Sequence, residues 1–277
     1  MNQDSAFFIG SNHSVCQDYA RSGEIEGINF AIISDGCSSS CDTDFGSRLL
    51  VMESIRIIKT FFSKNLEFNP HELGLYLSRM SLVLSNINYL NNTAMDATLF
   101  MVLSNDTTAL ILGYGDGIAF ARKKDGSTDF RKISFPSGYP AYLNYHSDGK
   151  RKSAYKMKSK KVVIDSGNML LTDYIIWESS EEKDPLTPFV WYLNKNVYDF
   201  IGVMSDGVET FYRIVPTEYG TVQEIASLNY ILSQILSVKR FAGSFLQRRM
   251  NKFIKTIRKD GWVNFDDLSV AAIHLGE

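Results

Sequence analysis

Only three cysteines, Cys16, Cys37 and Cys41, occur in the 277 residues. An odd number argues against a disulfide framework and fits a reducing compartment. Net charge is also scarce: the formal value is −2 and the pI about 6.1. No global field is therefore expected to recruit nucleic acid or a membrane. The first residues, MNQDSAFFIGSNHS, have neither a basic start nor a long apolar stretch, so no signal peptide is expected. No uninterrupted apolar segment is long enough to span a bilayer. Internal repeats and linkers are missing too. These absences point to a cytoplasmic globular protein, with residues 1–277 forming a single domain.

What is present suits a packed core: 44% of residues are hydrophobic and 22% charged. Short runs rich in Ile, Val, Phe and Leu, ending in Gly, Asp or Asn, predict strands. They fall at Ala6–Gly10, Gly27–Ser34, Ala97–Ser104, Ala109–Gly115, Ile118–Lys123, Lys161–Asp165, Phe200–Ser205 and Leu268–His274. SNDTT, YGDG and KKDGST between successive runs read as hairpin turns, which implies antiparallel pairing. Helices are predicted at Asp44–Ser63, Pro70–Tyr89, Thr221–Leu236 and Gly243–Arg258. In the first, Asp44 is the expected cap, and Phe45, Leu49, Ile57 and Phe61 form the expected buried stripe. In the second, Pro70 opens the helix, and Leu73, Leu77, Met80, Leu84 and Ile87 have three-four spacing. Antiparallel strands interleaved with helix pairs predict an α+β layered sandwich. Residues 137–161, rich in Tyr, Gly and Lys, read as an insertion over that scaffold. Residues 177–189, acidic and containing proline, read as a surface loop.

Acidic residues recur where apolar runs stop. Asp18 follows the first strand, Ser34-Asp35-Gly36 ends the second, and Gly115-Asp116-Gly117 lies in a turn. Ser205-Asp206-Gly207 ends a late strand, and Asp266-Asp267 opens the last. Any one Asp-Gly is more often a turn than a ligand. Several carboxylates brought together repel and raise one another's pKa, and a divalent cation removes that cost. Oxygen-only ligands suit Mg²⁺ or Mn²⁺ rather than Zn²⁺.

In order and context, SNHSVCQDYA, FAIISDGCSSS, DATLFMVL, LGYGDGIAFARKKDG, FIGVMSDGVETF and FDDLSVAAIHL resemble the motifs of the metal-dependent protein serine/threonine phosphatases, called PPM or type 2C. The form looks like a compact bacterial one, and the likeness runs from about Phe7 to His274. It implies a four-layer αββα sandwich with two central, mainly antiparallel sheets and metals at one end. It implies two Mg²⁺ or Mn²⁺ ions. Asp35 would bridge them, Gly36 would offer its carbonyl to one, and Asp206 and Asp266 would bind the other. Asp116, with Asp206, matches a weaker third site. Asp18 and Asp35 would be the catalytic carboxylates, Asp18 holding metal-bound water. Asp267 is expected at the strand start or behind the ligands. The implied reaction is direct attack of a metal-bridging water on phosphoserine or phosphothreonine. The implied partner is a phosphorylated protein, a cognate kinase or its target, with no nucleic acid and no membrane.

Two positions depart from the pattern. Gln17 stands where the family often has Glu, and His13 stands where its phosphate-binding Arg is usual. In this register His13 is the candidate substrate-binding residue, its charge set by pH, with Arg21 or Arg48 as substitutes. These departures keep open a catalytically weak relative that only binds phosphoprotein, alongside a phosphomonoesterase for small molecules. Cys37 and Cys41 have soft-metal spacing but no further Cys or His pattern beside them. The basic stretch 150–161 reads either as a substrate-recognition flap or as a solvated loop.

Overall fold

The computed structural model describes residues 1–62, 66–135, 140–147, 149–152, 173–174, 186 and 188–276. Two large sheets dominate it. The first has the order β1 (Asn2–Phe8), β14 (Leu268–His274), β10 (Tyr198–Met204), β6 (Gly117–Lys123), β7 (Thr128–Ile133) and β8 (Asp173–Tyr174). The second has the order β2 (Tyr19–Ile25), β3 (Ile28–Ser34), β4 (Leu99–Ser104), β5 (Ala109–Tyr114) and β9 (Phe189–Leu193). All pairs in both are antiparallel except β7 with β8. A small third sheet joins β12 (Gly220–Ile225), β11 (Phe211–Thr217) and β13 (Val263–Asn264).

The layers follow from side-chain alternation. On β3, Ala31 and Ile33 meet Phe100, Val102, Ile201, Val203, Ala271 and Ile273 in the core between the two sheets. The alternate residues Ile28, Phe30 and Ile32 pack outward with Leu50, Val51, Ile57 and Ile58 of α1 (Thr43–Phe61) and Leu73 and Leu77 of α2 (Pro70–Ile87). On the other side, Phe120, Phe200, Val270 and Ala272 pack against α3 (Leu228–Leu236) and α4 (Phe245–Lys259). The result is helix, sheet, sheet, helix, as expected. Strands buried on both faces read as unbroken apolar runs, which is why β3, β4 and β5, buried at every position, were legible.

Several expectations need correction. Asp44 lies inside the first turn of α1, and the capping position is Asp42, in a left-handed conformation with φ 59°. Phe45 is 57% exposed and Ile87 64%, so neither belongs to the buried stripes. The predicted helix Thr221–Leu236 is a strand, β12, followed by the shorter α3 capped by Ser227. Val222 and Ile225 have helical spacing, yet both are solvent-exposed. YGDG is not a hairpin: β5 and β6 belong to different sheets, and the turn carries the chain across between them. Gly115, at φ +86°, makes that crossover possible. Strands β2, β7, β8, β9, β11, β12 and β13 were not anticipated. The predicted strand Lys161–Asp165 lies outside the described residues, as do most of 137–161 and 177–189.

Candidate active site

Strand register gathers the acidic motifs at one end of the sandwich. Tyr19 pairs with Ser34, Ile118 with Met204, and Met204 with Val270. Asp18 and Asp35 therefore come from the five-stranded sheet, Asp206 and Asp266 from the six-stranded one. Asp116 sits on the crossover between them.

The two Ser-Asp-Gly motifs use their serines differently. Ser34 Oγ donates to the Thr98 carbonyl at 2.6 Å, and Thr98 Oγ1 accepts the Asp35 N–H at 3.0 Å. These bonds fix the tip of β3. Ser205 Oγ instead donates to Asp18 Oδ2 at 2.7 Å and accepts the Ser269 N–H at 2.9 Å. Gly36 bridges to Ala97 through its neighbours' bonds, Thr98 N–H to Asp35 O and Cys37 N–H to Asp96 O, both 2.8 Å. Those two bonds do not use the Gly36 carbonyl.

Asp267 is one of the site's organising groups. It is 2% exposed, and its carboxylate accepts the Gly10 N–H at 2.6 Å and the Gln17 N–H at 2.5 Å. His13 Nδ1 stands 2.9 Å from Asp267 Oδ2, and its Nε2 3.5 Å from Asp266 Oδ1. One buried carboxylate thus holds both ends of the loop that carries His13, Gln17 and Asp18. Gly207 allows the opposing tip to come close: a Cβ there would lie 1.7 Å from the Asp267 carbonyl oxygen.

The electrostatics are those of crowded acids. Burial pushes the Asp18 carboxyl up to about 7. Burial, then the charge of Asp206, pushes Asp116 up to about 7. Burial, then Asp18 and Asp206, holds Asp35 well above the carboxylate range. Burial raises Asp206 as well, with Asp266 and Glu209 adding to it, although Asp35 hydrogen-bonds it. Lys132 partly offsets this charge, but its Nζ is tied to Glu209 at 2.5 Å.

Among the described residues, no group of three His, Cys, Asp or Glu side chains stands arranged to hold a metal ion. The donors nevertheless fit a hard cation. Asp18 Oδ1 and Gln17 Oε1 are buried oxygens with no hydrogen-bond partner. The cluster is all oxygen and carries more negative charge than its cations neutralise. Cys37 and Cys41 make no soft-metal group, and all three cysteines are free thiols. Arg48 is engaged with Asp44 and stacks over Tyr19, and Arg21 is exposed on β2.

Sequence reasoning missed two parts of the site. Tyr142 is buried within electrostatic reach of Cys37, Asp116 and Asp35, and burial raises its hydroxyl pKa. Asp96, 2% exposed, accepts Ser40 Oγ at 2.8 Å and Asn144 Nδ2 at 2.9 Å, and pairs with Arg151. It ties residues 144–151 to the loop after Gly36. No local signal marks either contact, since the Asp96 bonds join segments about fifty residues apart and Tyr142 lies over a hundred residues from Cys37 and Asp35.

The comparisons agree with this fold. A bacterial serine phosphatase structure superposes with a TM-score of 0.57 at 12% identity, covering 99% of this chain and 98% of that one. Serine/threonine phosphatase Stp1 from Staphylococcus aureus gives 0.56 at 12% identity, covering 100% and 96%. The PP2C phosphatase domain with a regulatory fragment of SpoIIE from Bacillus subtilis gives 0.54 at 14% identity, covering 99% and 63%. At such identities these likenesses speak to the fold. No curated protein matches the sequence. The family model described as Protein phosphatase 2C matches residues 10–254, most of the chain and nearly all of the candidate site. The chain belongs to the protein phosphatase 2C family, a family of protein serine/threonine phosphatases.

Proposed function

We propose that this protein is a metal-dependent phosphoprotein phosphatase that hydrolyses phosphoserine and phosphothreonine. The observation that carries this reading is the convergence of Asp18, Asp35, Asp116, Asp206 and Asp266 from both sheets beside the unpartnered oxygens of Asp18 and Gln17. Asp35, Gly36, Asp206 and Asp266 would hold two Mg²⁺ or Mn²⁺ ions, with Asp116 and Asp206 serving a third. Such ions, when bound, activate water and neutralise phosphoryl oxygens. Asp18 is held by Ser205, which leaves its Oδ1 free to accept a hydrogen bond from the attacking water. His13, whose side chain is 12% exposed and lies beside Asp266 and Asp267, would meet the phosphoryl group from the rim. Tyr142 closes the side of the site toward Cys37.

The partner on this reading is a phosphorylated protein, a cognate Ser/Thr kinase or its target. Three free thiols suit the cytoplasm. Residues 1–277 are read as one phosphatase domain carrying the insertion at about 137–161. The test is hydrolysis of a phosphothreonine peptide with Mn²⁺, with Mg²⁺ and with EDTA, beside Asp206→Asn. Turnover that needs metal and collapses in Asp206→Asn is expected. Binding without turnover in any metal would leave a phosphoprotein-binding module, with Gln17 and His13 responsible. Preference for nucleotides or sugar phosphates over the peptide would leave a small-molecule phosphomonoesterase.

A further inference from the structure

A strongly basic cleft lies at the opposite end of the six-stranded sheet. Its walls include Lys239, Arg240, Arg248, Arg249 and Lys252, and it encloses about 540 Å³. Three more cations, Lys255, Arg258 and Lys259, continue along the exposed side of α4. Residues 239–259 carry eight cations and no carboxylate in a chain of formal charge −2, so the rest of the chain stands at −10.

The position is fixed by packing. Asp4 Oδ2 accepts the Leu246 and Gln247 N–H groups at 2.6 and 3.1 Å, which anchors the start of α4 to β1. Phe241 stacks on His274 at the far end of β14, ring centroids 4.0 Å apart. The six steps of β14 from His274 to Leu268 put the cleft about 20 Å from the carboxylate cluster.

The charge is not neutralised. Among the described residues, none of these eight cations forms an ion pair with a carboxylate. Arg248 donates to the Ala242 carbonyl at 2.7 Å and Arg249 to Gln234 Oε1 at 3.2 Å, both neutral oxygens. Asp4, the carboxylate that Arg248 faces, is already engaged by the first turn of α4. The adjoining cleft around Arg122 and Lys123 differs: those cations pair with Asp199 and Asp129 at 2.9 and 2.7 Å. Like charges gathered without partners destabilise a fold unless a ligand of opposite sign uses them.

We propose that this cleft docks a carboxylate-rich segment of the phosphoprotein substrate, distant in its sequence from the residue being dephosphorylated. This docking role rests on the phosphatase reading and deepens it. A membrane fits less well, because Phe245, Leu246, Met250, Phe253, Ile254 and Ile257 of α4 are all buried and none is left to enter lipid. Nucleic acid fits less well, because Phe245, the cleft's one aromatic, is 1% exposed and offers no stacking face. A long polyanion would also run onto the negative remainder of the surface. A short acidic peptide would not.

The test compares two phosphothreonine peptides. One carries six glutamates joined by a Gly/Ser linker of about 14 residues, whose mean reach is about 20 Å. Each is assayed with Mn²⁺ against the native chain and against Lys239→Glu/Arg240→Glu/Lys252→Glu, three exposed positions remote from the reaction. The tail is expected to raise kcat/KM about tenfold in the native chain at low salt, the scale of a few surface ion pairs acting together. The gain should vanish in the variant and in high salt, while the tail-less peptide turns over equally in both proteins. No gain in the native chain, or a gain that persists in the variant, overturns the docking site. Anisotropy of a fluorescein-labelled hexaglutamate peptide without phosphate separates this failure from failure of the phosphatase reading. If neither phosphopeptide is hydrolysed, saturable binding lost in the variant still supports the cleft, and no binding overturns it. Displacement of the probe by a short DNA duplex or by phosphatidylserine vesicles at tenfold lower concentration than by unlabelled hexaglutamate would overturn the assignment to an acidic peptide.

Discussion

Replacing Asp267 by alanine separates a loop-holding carboxylate from a metal-binding one. Asp267 accepts two buried N–H groups, from Gly10 and Gln17, and stands 2.9 Å from His13 Nδ1. Alanine leaves both N–H groups without an acceptor. Each such loss costs about 1–3 kcal/mol, so about 2–6 kcal/mol of folding stability should disappear. That is a large share of the roughly 5–15 kcal/mol typical of a domain. Asp267→Asn keeps one acceptor oxygen and should lose about half as much. Urea unfolding in EDTA measures the effect without any contribution from bound metal. Asp206→Asn is the control. It removes one of several repelling carboxylates, so in EDTA it should unfold no earlier than the native chain, although its turnover collapses. A native unfolding midpoint for Asp267→Ala, combined with loss of Mn²⁺ activation, would make Asp267 a ligand and refute the loop-holding role.

The metal-free protein should lose stability as pH rises from about 4 to 7. Asp18 and Asp116 have carboxyls pushed up from 3.8 to about 7, so across that window the folded chain holds protons that the unfolded chain releases. The slope is about 1.4 kcal/mol per pH unit for each such proton. Melting in EDTA at pH 5 and 7.5 should show the drop and Mn²⁺ at pH 7.5 should reverse it, whereas a flat profile would contradict the shifts. Arg151→Ala should release the Arg151 end of segment 144–151 from Asp96 while Asn144 stays bound, read as faster proteolysis near position 151 and a few-fold higher KM for a phosphothreonine peptide. Unchanged cleavage would argue against that tether. Gly207→Ala should cost about 1–3 kcal/mol, since its Cβ would collide with the Asp267 carbonyl, and should raise the Mn²⁺ concentration needed for activity. A native Mn²⁺ requirement would show that the tip can yield.

The layered fold and the acidic cluster were legible because both leave local marks. Strands covered on both faces must be apolar throughout, so β3, β4, β5 and β10 stand out. The aspartates stand out because each ends or opens such a run. What could not be read depends on distant partners. β2 sits at a sheet edge and carries Arg21 and Glu24, and β12 is exposed throughout, so neither has an apolar signature. YGDG has the residues of a hairpin turn, and only the pairing of β6 with β10 shows that it is a crossover. Tyr142 and Asp96 enter the site through contacts that spacing along the chain does not encode. The cations of α4 are plain in the sequence, but their unpaired state needed the surrounding surface.

The place of β14 has a kinetic consequence. It lies between β1 and β10, so among the described residues β1 has as its one partner in the sheet a strand made about 260 residues later. At about 5–20 residues per second, β1 waits tens of seconds on the ribosome before that partner is synthesised. Asp266, immediately ahead of β14, arrives at the same moment. A nascent chain therefore cannot assemble the acidic cluster until β14 has been made and inserted between β1 and β10.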